Sequence, residues 1–179
     1  DIYIGKDLLD KLNEKELRAV IAHELGHIKN NHVIKRKVLF ISQILLFFFK
    51  DVLANKFYYY SNIGSYHTDN EHVNFNQKKR EFYNKFNITF EIFMFLFSLA
   101  ENYISRLQEK EADLEALKYT KDPNLLISAL EKIHQTQKEK SKVSYNILQF
   151  YSKYLWFLSS HPSLEKRADY LKKAAGGLA

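Results

Sequence analysis

His23-Glu24-Leu25-Gly26-His27 is the stretch on which the reading of this chain turns. Asn13, with Glu16 three positions later, has the form of an N-cap and its capping-box partner, and predicts a helix running to about Asn30. At about 100° per residue, His23 and His27 lie roughly 40° apart on one face of that helix, so both imidazoles reach a single ion. Glu24 lies about 60° further round, where its carboxylate can take a proton from a water at that ion without replacing a ligand. Leu17, Ile21, Leu25 and Ile28 form a separate apolar arc, expected to pack in the core. Ala19, Ala22 and Gly26 flank the histidines and are small enough to let another element come close.

The chain has no cysteine, which excludes a disulfide scaffold, thiolate metal sites and a cysteine nucleophile. Metal ligands must therefore be His, Asp or Glu. Two imidazoles with a carboxylate in an incomplete tetrahedron are the usual arrangement for catalytic zinc, so one Zn2+ per chain is expected. A third protein ligand is needed. His32 is near in sequence, but extending the wheel puts it about 140° round from His27, where it reads as a solvated helix-end histidine. Glu109-Lys110-Glu111-Ala112-Asp113 offers more. On a helix, Glu109 and Asp113 share a face with Ala112, Ala116 and Leu117, while Glu111, Glu115 and Lys118 point to water. Two inward acids are costly unless paired or metal-bound, so Glu109 is the better third ligand. Asp113 behind it would hold a ligand histidine by its other ring nitrogen.

At 179 residues the chain suits one domain, 1–179, with a sizeable core. Aromatic residues make up 15% of it, with only 5 Gly and 2 Pro, which favours a helical globule over disordered sequence or a turn-rich sandwich. Ile2-Tyr3-Ile4 before Gly5 reads as a minimal N-terminal strand, so the expected class is mainly α, or α+β by that strand alone. The net charge of +6 is scattered, with no zinc-finger spacing and no basic stripe, so nucleic acid is not an expected partner. No leading secretory signal is visible, and the start at Asp1 rather than Met suits a fragment or soluble form of a longer protein.

Val38 to Phe49 and Ile88 to Ala100 are apolar runs too short alone to cross a hydrocarbon layer of about 30 Å, and are expected as buried helices, with a membrane hairpin as the second reading. Residues 50–87, rich in Tyr, Asn, Lys and His, show no steady period and read as a long connection or lid. His67 and His72, with Asp69 and Glu71 between them, read as polar loop, with an accessory metal site as the sharper alternative. Helical patterning resumes from Glu101 to about Tyr119. Asp122 before Pro123 marks a new N-cap, two or three helices follow, the last over Ser163–Lys173, and the tail Ala174–Ala179 reads as frayed.

The chain resembles the HtpX-like and CAAX-prenyl-protease-like zinc endopeptidases of the gluzincin group, which includes the small soluble minigluzincins. Asp7-Leu8-Leu9 through Val20-Ile21-Ala22-His23-Glu24-Leu25-Gly26-His27 is similar to the family's LL…EL…V-x-A-H-E-L-G-H block. Arg106 to Asp113 is similar to its downstream glutamate helix, and His161-Pro162-Ser163-Leu164-Glu165-Lys166-Arg167 to its later H-P…R element. Lys110 stands where the family often has an aromatic, and the two apolar runs are shorter than the transmembrane hairpin of embedded members. The resemblance implies a zincin-like helical metallopeptidase domain in which His23, His27 and Glu109 hold zinc. It further implies Glu24 as general base, Asp113 as supporting acid, and His161 with Arg167 lining the site or steadying the oxyanion.

The expected activity is zinc-dependent endopeptidase cleavage of peptide or protein substrates. The competing reading is a catalytically silent or latent metal-binding module at a membrane surface, and likeness to the small soluble relatives implies self-inhibition by this chain's own loop or tail. The expected location is accordingly membrane-associated or cytoplasmic.

Overall fold

The computed structural model describes residues 4–61, 72–140 and 159–177. Its regular elements are helices: α1 (Lys6–Lys11), α2 (Glu14–Lys29), α3 (His32–Ser61), α4 (His72–Thr120), α5 (Pro123–Lys140) and α6 (Leu164–Gly176). The class is mainly α, with no strand among the described residues. Ile2 and Tyr3 of the expected strand lie outside them, and Ile4 is exposed and in no regular element.

α2 starts as its sequence dictates. The Asn13 side chain accepts from the Glu16 backbone N–H at 2.9 Å, and the Asn13 backbone N–H donates to Glu16 Oε2 at 2.9 Å. Glu16 is also buried against α5, where Ser128 Oγ donates to it at 2.6 Å and Lys132 Nζ at 2.7 Å. Burial alone would raise its pKa, but the bonds from Lys132, Ser128 and the Asn13 backbone, with the Lys132 charge, hold it down to about 2. One carboxylate thus caps a helix and ties it to its neighbour.

α2 ends at Asn30, and Asn31 takes a left-handed conformation (φ 55°), which a short polar side chain tolerates. Lys121 (φ 61°) makes the corresponding break between α4 and α5, and Asp122 Oδ1 then accepts from the Asn124 backbone N–H at 2.9 Å, with Pro123 in the first helical position. Ser163 Oγ caps α6 by accepting from Lys166 N–H. α6 runs on through Ala174 and Ala175 to Gly176, so that part of the tail read as frayed is helical.

The chain divides into two compact units, one of residues 1–36 and 101–179 and one of residues 37–100. In the first, Ala19 and Ala22 of α2, Ala116 and Leu117 of α4, Leu126 and Ile127 of α5, and Leu171 of α6 form the core. The apolar arc of α2 is not part of it. Leu25 and Ile28 are about half exposed (48% and 57%), and with Ile21 and Tyr119 they line an open groove. The buried face is instead Glu16, Ala19, Ala22, His23, Gly26 and His27. Small residues decide this: a Cβ on Gly26 would sit 3.0 Å from Ala112 Cα of α4, so only the alanine and glycine face admits so close a neighbour.

In the second unit, α3 and α4 pair through aromatic rings. Tyr58 meets Phe82 at 5.3 Å between centroids and Phe57 meets Phe86 at 6.2 Å, while Phe82, Phe86 and Phe90 stack along α4. Ala54 and Phe90 are buried, but Phe40, Phe47, Phe48, Phe93 and Phe95 are exposed. The expectation of two buried apolar helices is therefore corrected, since a pair of helices has one mutual seam and its outward faces need another partner. Their lengths are corrected too: at about 1.5 Å per residue, helices of 30 and 49 residues exceed the hydrocarbon thickness that the apolar runs alone fall short of. Residues 50–61 and 72–87, read as part of an irregular connection, belong to α3 and α4. Residues 62–71 lie outside those described, as does the accessory metal reading that depends on His67, Asp69, Glu71 and the His72 side chain.

Candidate metal centre

The close approach of α2 and α4 carries the centre. Gly26 lies between His23 and His27 in sequence, and Ala112 lies between Glu109 and Asp113, so backbone contact at Gly26–Ala112 brings two imidazoles against two acids. All four side chains are buried. His23 Nε2 and His27 Nε2 are 3.1 Å apart, and Glu109 oxygens lie 3.7 Å from the first and 3.5 Å from the second.

Whether these groups suit an ion can be tested on their spacing. Ligand atoms about 2.0–2.1 Å from a tetrahedral zinc are separated by about 3.4 Å; the two nitrogens stand 3.1 Å apart, and the two Glu109 oxygens lie near that spacing, Oε2 at 3.7 Å from His23 and Oε1 at 3.5 Å from His27. His23, His27 and Glu109 offer ligand atoms all within 4.8 Å of one another. Protonation agrees with this. Burial, then the neighbouring His23, push the His27 pKa down to about 4, so that ring is neutral near neutral pH and has a lone pair to give. The donor set, two imidazoles and one carboxylate, fits a zinc-type ion.

A polar layer surrounds the three groups. His23 Nδ1 lies 2.8 Å from Asp113 Oδ1, close enough for an ionic contact though not aligned as a hydrogen bond. Arg167 of α6 clamps Asp113 with two donors, Nε at 2.8 Å and Nη2 at 2.5 Å, and the Tyr170 hydroxyl donates to the same carboxylate. Burial opposes the Arg167 charge, but the Asp113 carboxylate outweighs it and raises the pKa further. Burial and then Asp113 raise that of Tyr170, so its hydroxyl stays a donor. Arg167 Nη1 also lies 3.6 Å from Glu109 Oε2.

His161 Nδ1 stands 3.3 Å from Glu109 Oε1 with its ring largely exposed. Arg106 of α4 holds the backbone just before it, donating to the Ser159 carbonyl at 2.7 Å. The Glu24 side chain is exposed. His23, His27, Glu109, Asp113, His161 and Arg167 thus gather from α2, α4, the segment before α6, and α6 itself, while among the described residues no hydrogen bond or ion pair joins Glu24 to them.

His32 is the residue whose sequence reading fails. It is fully buried, not solvated, with Nδ1 2.9 Å from His27 Nδ1 and Nε2 2.9 Å from Glu111 Oε2. The angle of about 140° between His27 and His32 holds only for an α2 that continues past Asn30, where the helix in fact ends. The left-handed turn at Asn31 starts α3 in a new direction and brings the His32 ring back onto His27. The Asn30-Asn31 pair is the signal that could have found it, because such pairs mark turns.

A profile of peptidase family M48 matches residues 1–175. A protein named Protease HtpX from Buchnera aphidicola is 29% identical over 185 residues, covering 96% of this chain and 58% of its own length. A Protease HtpX homolog from Bacteroides fragilis is 31% identical, with 96% and 55% covered, and one from Caldanaerobacter subterraneus is 29% identical, with 96% and 57% covered. The chain therefore spans a little over half the length of the curated relatives it matches. No solved structure matches it.

Proposed function

Because the chain belongs to peptidase family M48, we propose that it is a zinc-dependent endopeptidase whose residues 1–179 act as one peptidase domain. The observation that carries this reading is the convergence of His23 Nε2, His27 Nε2 and a Glu109 carboxylate oxygen, from positions on α2 and α4 more than eighty residues apart in sequence. In it these three hold one Zn2+. Zinc, when bound, supplies a Lewis acid that polarises the scissile carbonyl and lowers the pKa of water.

The chain's own residues do the rest. Glu24 takes the proton of the attacking water on its carboxylate and delivers it to the leaving amine. His161, exposed beside Glu109, donates to the oxygen that becomes negative as the carbonyl is attacked. Asp113 keeps His23 oriented, and Arg167 with Tyr170 keeps Asp113 ionised and fixed. The buried position of His23, His27 and Glu109 excludes water from the ligand side chains.

Metal analysis joined to a peptide-library cleavage screen tests the reading. Wild type is expected to hold one zinc and cleave peptides, and Glu109→Ala to lose zinc. Glu24→Gln is expected to keep zinc and lose turnover by about 10^2–10^4-fold. Unchanged cleavage by Glu24→Gln at unchanged zinc content would refute the mechanism.

The exposed apolar faces of α3 and α4 within residues 37–100 support a membrane as the neighbour of this enzyme. Flotation with neutral and anionic vesicles checks it: association with both is expected, and recovery only in the unbound fraction would sink the idea.

A further inference from the structure

We infer that His32 and Glu111 form a relay that fixes the tautomer of His27 and so points its Nε2 lone pair at the metal, an inference that rests on the zinc reading above. Proton bookkeeping on three side chains leads to it. His27 faces the centre with Nε2, 3.1 Å from His23 Nε2 and 3.5 Å from a Glu109 oxygen. A neutral imidazole that gives its Nε2 lone pair to an ion carries its proton on Nδ1. The group facing that Nδ1 is His32 Nδ1, at 2.9 Å, which must then be the acceptor and bear no proton.

A neutral His32 with a bare Nδ1 carries its proton on Nε2, and Nε2 lies 2.9 Å from Glu111 Oε2. The donors therefore run in one direction: His27 Nδ1–H to His32 Nδ1, then His32 Nε2–H to Glu111. The opposite His32 tautomer would set two N–H groups against each other and leave the Glu111 carboxylate facing a lone pair. His32 is fully buried, so water cannot take its place. The two ligand histidines are thus held by different devices: a carboxylate clamped from α6 stands behind His23, and an imidazole with a surface carboxylate stands behind His27. His32 and Glu111 are positioning residues and touch no substrate.

The test uses the full chain in four forms: wild type, His32→Ala, His32→Asn and Glu111→Ala. Asn keeps an acceptor oxygen near the place of His32 Nδ1, whereas Ala keeps none. Zinc Kd is read by competition with a chromophoric chelator, and the His27 tautomer by two-bond 1H–15N correlation on metal-free protein at mildly alkaline pH. His32→Ala is expected to weaken zinc binding about 10–100-fold, His32→Asn to recover to within roughly threefold of wild type, and Glu111→Ala to fall between them. His27 is expected as the Nδ1–H tautomer in wild type and as a mixture in His32→Ala. Wild-type affinity in His32→Ala, or no recovery with Asn, overturns the relay, as does an Nε2–H His27 in wild type. Should His32→Ala not fold, Glu111→Ala decides, because its side chain is largely exposed: unchanged Kd overturns the inference. A wild type that binds no zinc overturns the parent reading instead, and the tautomer measurement then supports or overturns the relay by itself.

Discussion

Gly26→Ala probes the contact on which the whole centre depends. The added Cβ would lie 3.0 Å from Ala112 Cα, 3.2 Å from Ala112 O and 3.3 Å from Glu115 Cβ. Ordinary carbon contacts are about 3.5–4.0 Å, so α2 and α4 must part by roughly half an ångström or more. No rotamer change relieves this, since two of the three atoms are backbone. Overpacking of this kind costs about 1–3 kcal/mol, while alanine in a helix interior returns about 1 kcal/mol over glycine, leaving a net loss of about 0–2 kcal/mol. The effect on metal binding should be larger. Gly26 lies between the two histidines and Ala112 between Glu109 and Asp113, so the same displacement moves Glu109 away from the histidine pair. A half-ångström error in a tetrahedral site with bonds of about 2 Å should weaken zinc at least about tenfold, or about 1.4 kcal/mol. Thermal melts of metal-free protein and chelator competition separate the two quantities. If Gly26→Ala melted higher than wild type and bound zinc equally well, the close approach would have no part in shaping the site.

Two further outcomes follow from buried charges. Glu16→Gln removes an acid whose pKa is about 2 in the fold against an ordinary 4.5, so its charge stabilises the fold above that ordinary value and the contribution fades as pH falls through about 2. With Lys132 partly in solvent, about 2 kcal/mol is expected at neutral pH, and the gap between wild-type and variant melting curves should close between about pH 5 and pH 2; a gap that stayed constant on acidification would contradict the assignment. Asp113→Asn leaves the buried Arg167 with only the more distant Glu109 carboxylate, 3.6 Å away, as counter-charge, which should cost about 3 kcal/mol and lower Tm by roughly 10 °C, and a Tm within a degree or two of wild type would show that the clamp is not structural.

The parts of the site legible in sequence were those set by local periodicity. A capped helix fixes the angle between His23 and His27 whatever else the chain does, and the Asn13–Glu16 box is present as its spacing predicts. The inward face of Glu109, Ala112, Asp113, Ala116 and Leu117 follows from the same geometry, because two acids among alanines signal a polar interior. What failed was extrapolation past a break. The angle assigned to His32 held only for an unbroken helix, and one left-handed Asn31 replaced a solvated histidine with a fully buried one. The Ser128 and Lys132 ties to Glu16 had no local signal at all, since they depend on how α5 packs.

The misassigned apolar arc of α2 carries a more general lesson. Hydrophobicity predicts burial only when some element can reach the face in question. Here the competing face is built of Ala19, Ala22 and Gly26, and it wins because it lets α4 come to backbone contact, placing the histidines and acids in the gap. A wide apolar face of Leu and Ile would hold α4 too far away for imidazole and carboxylate to share an ion. The centre therefore requires the small face inward, and the larger residues are turned outward by the geometry of the site. Leu25 and Ile28 are exposed for the reason that His23 and His27 are buried.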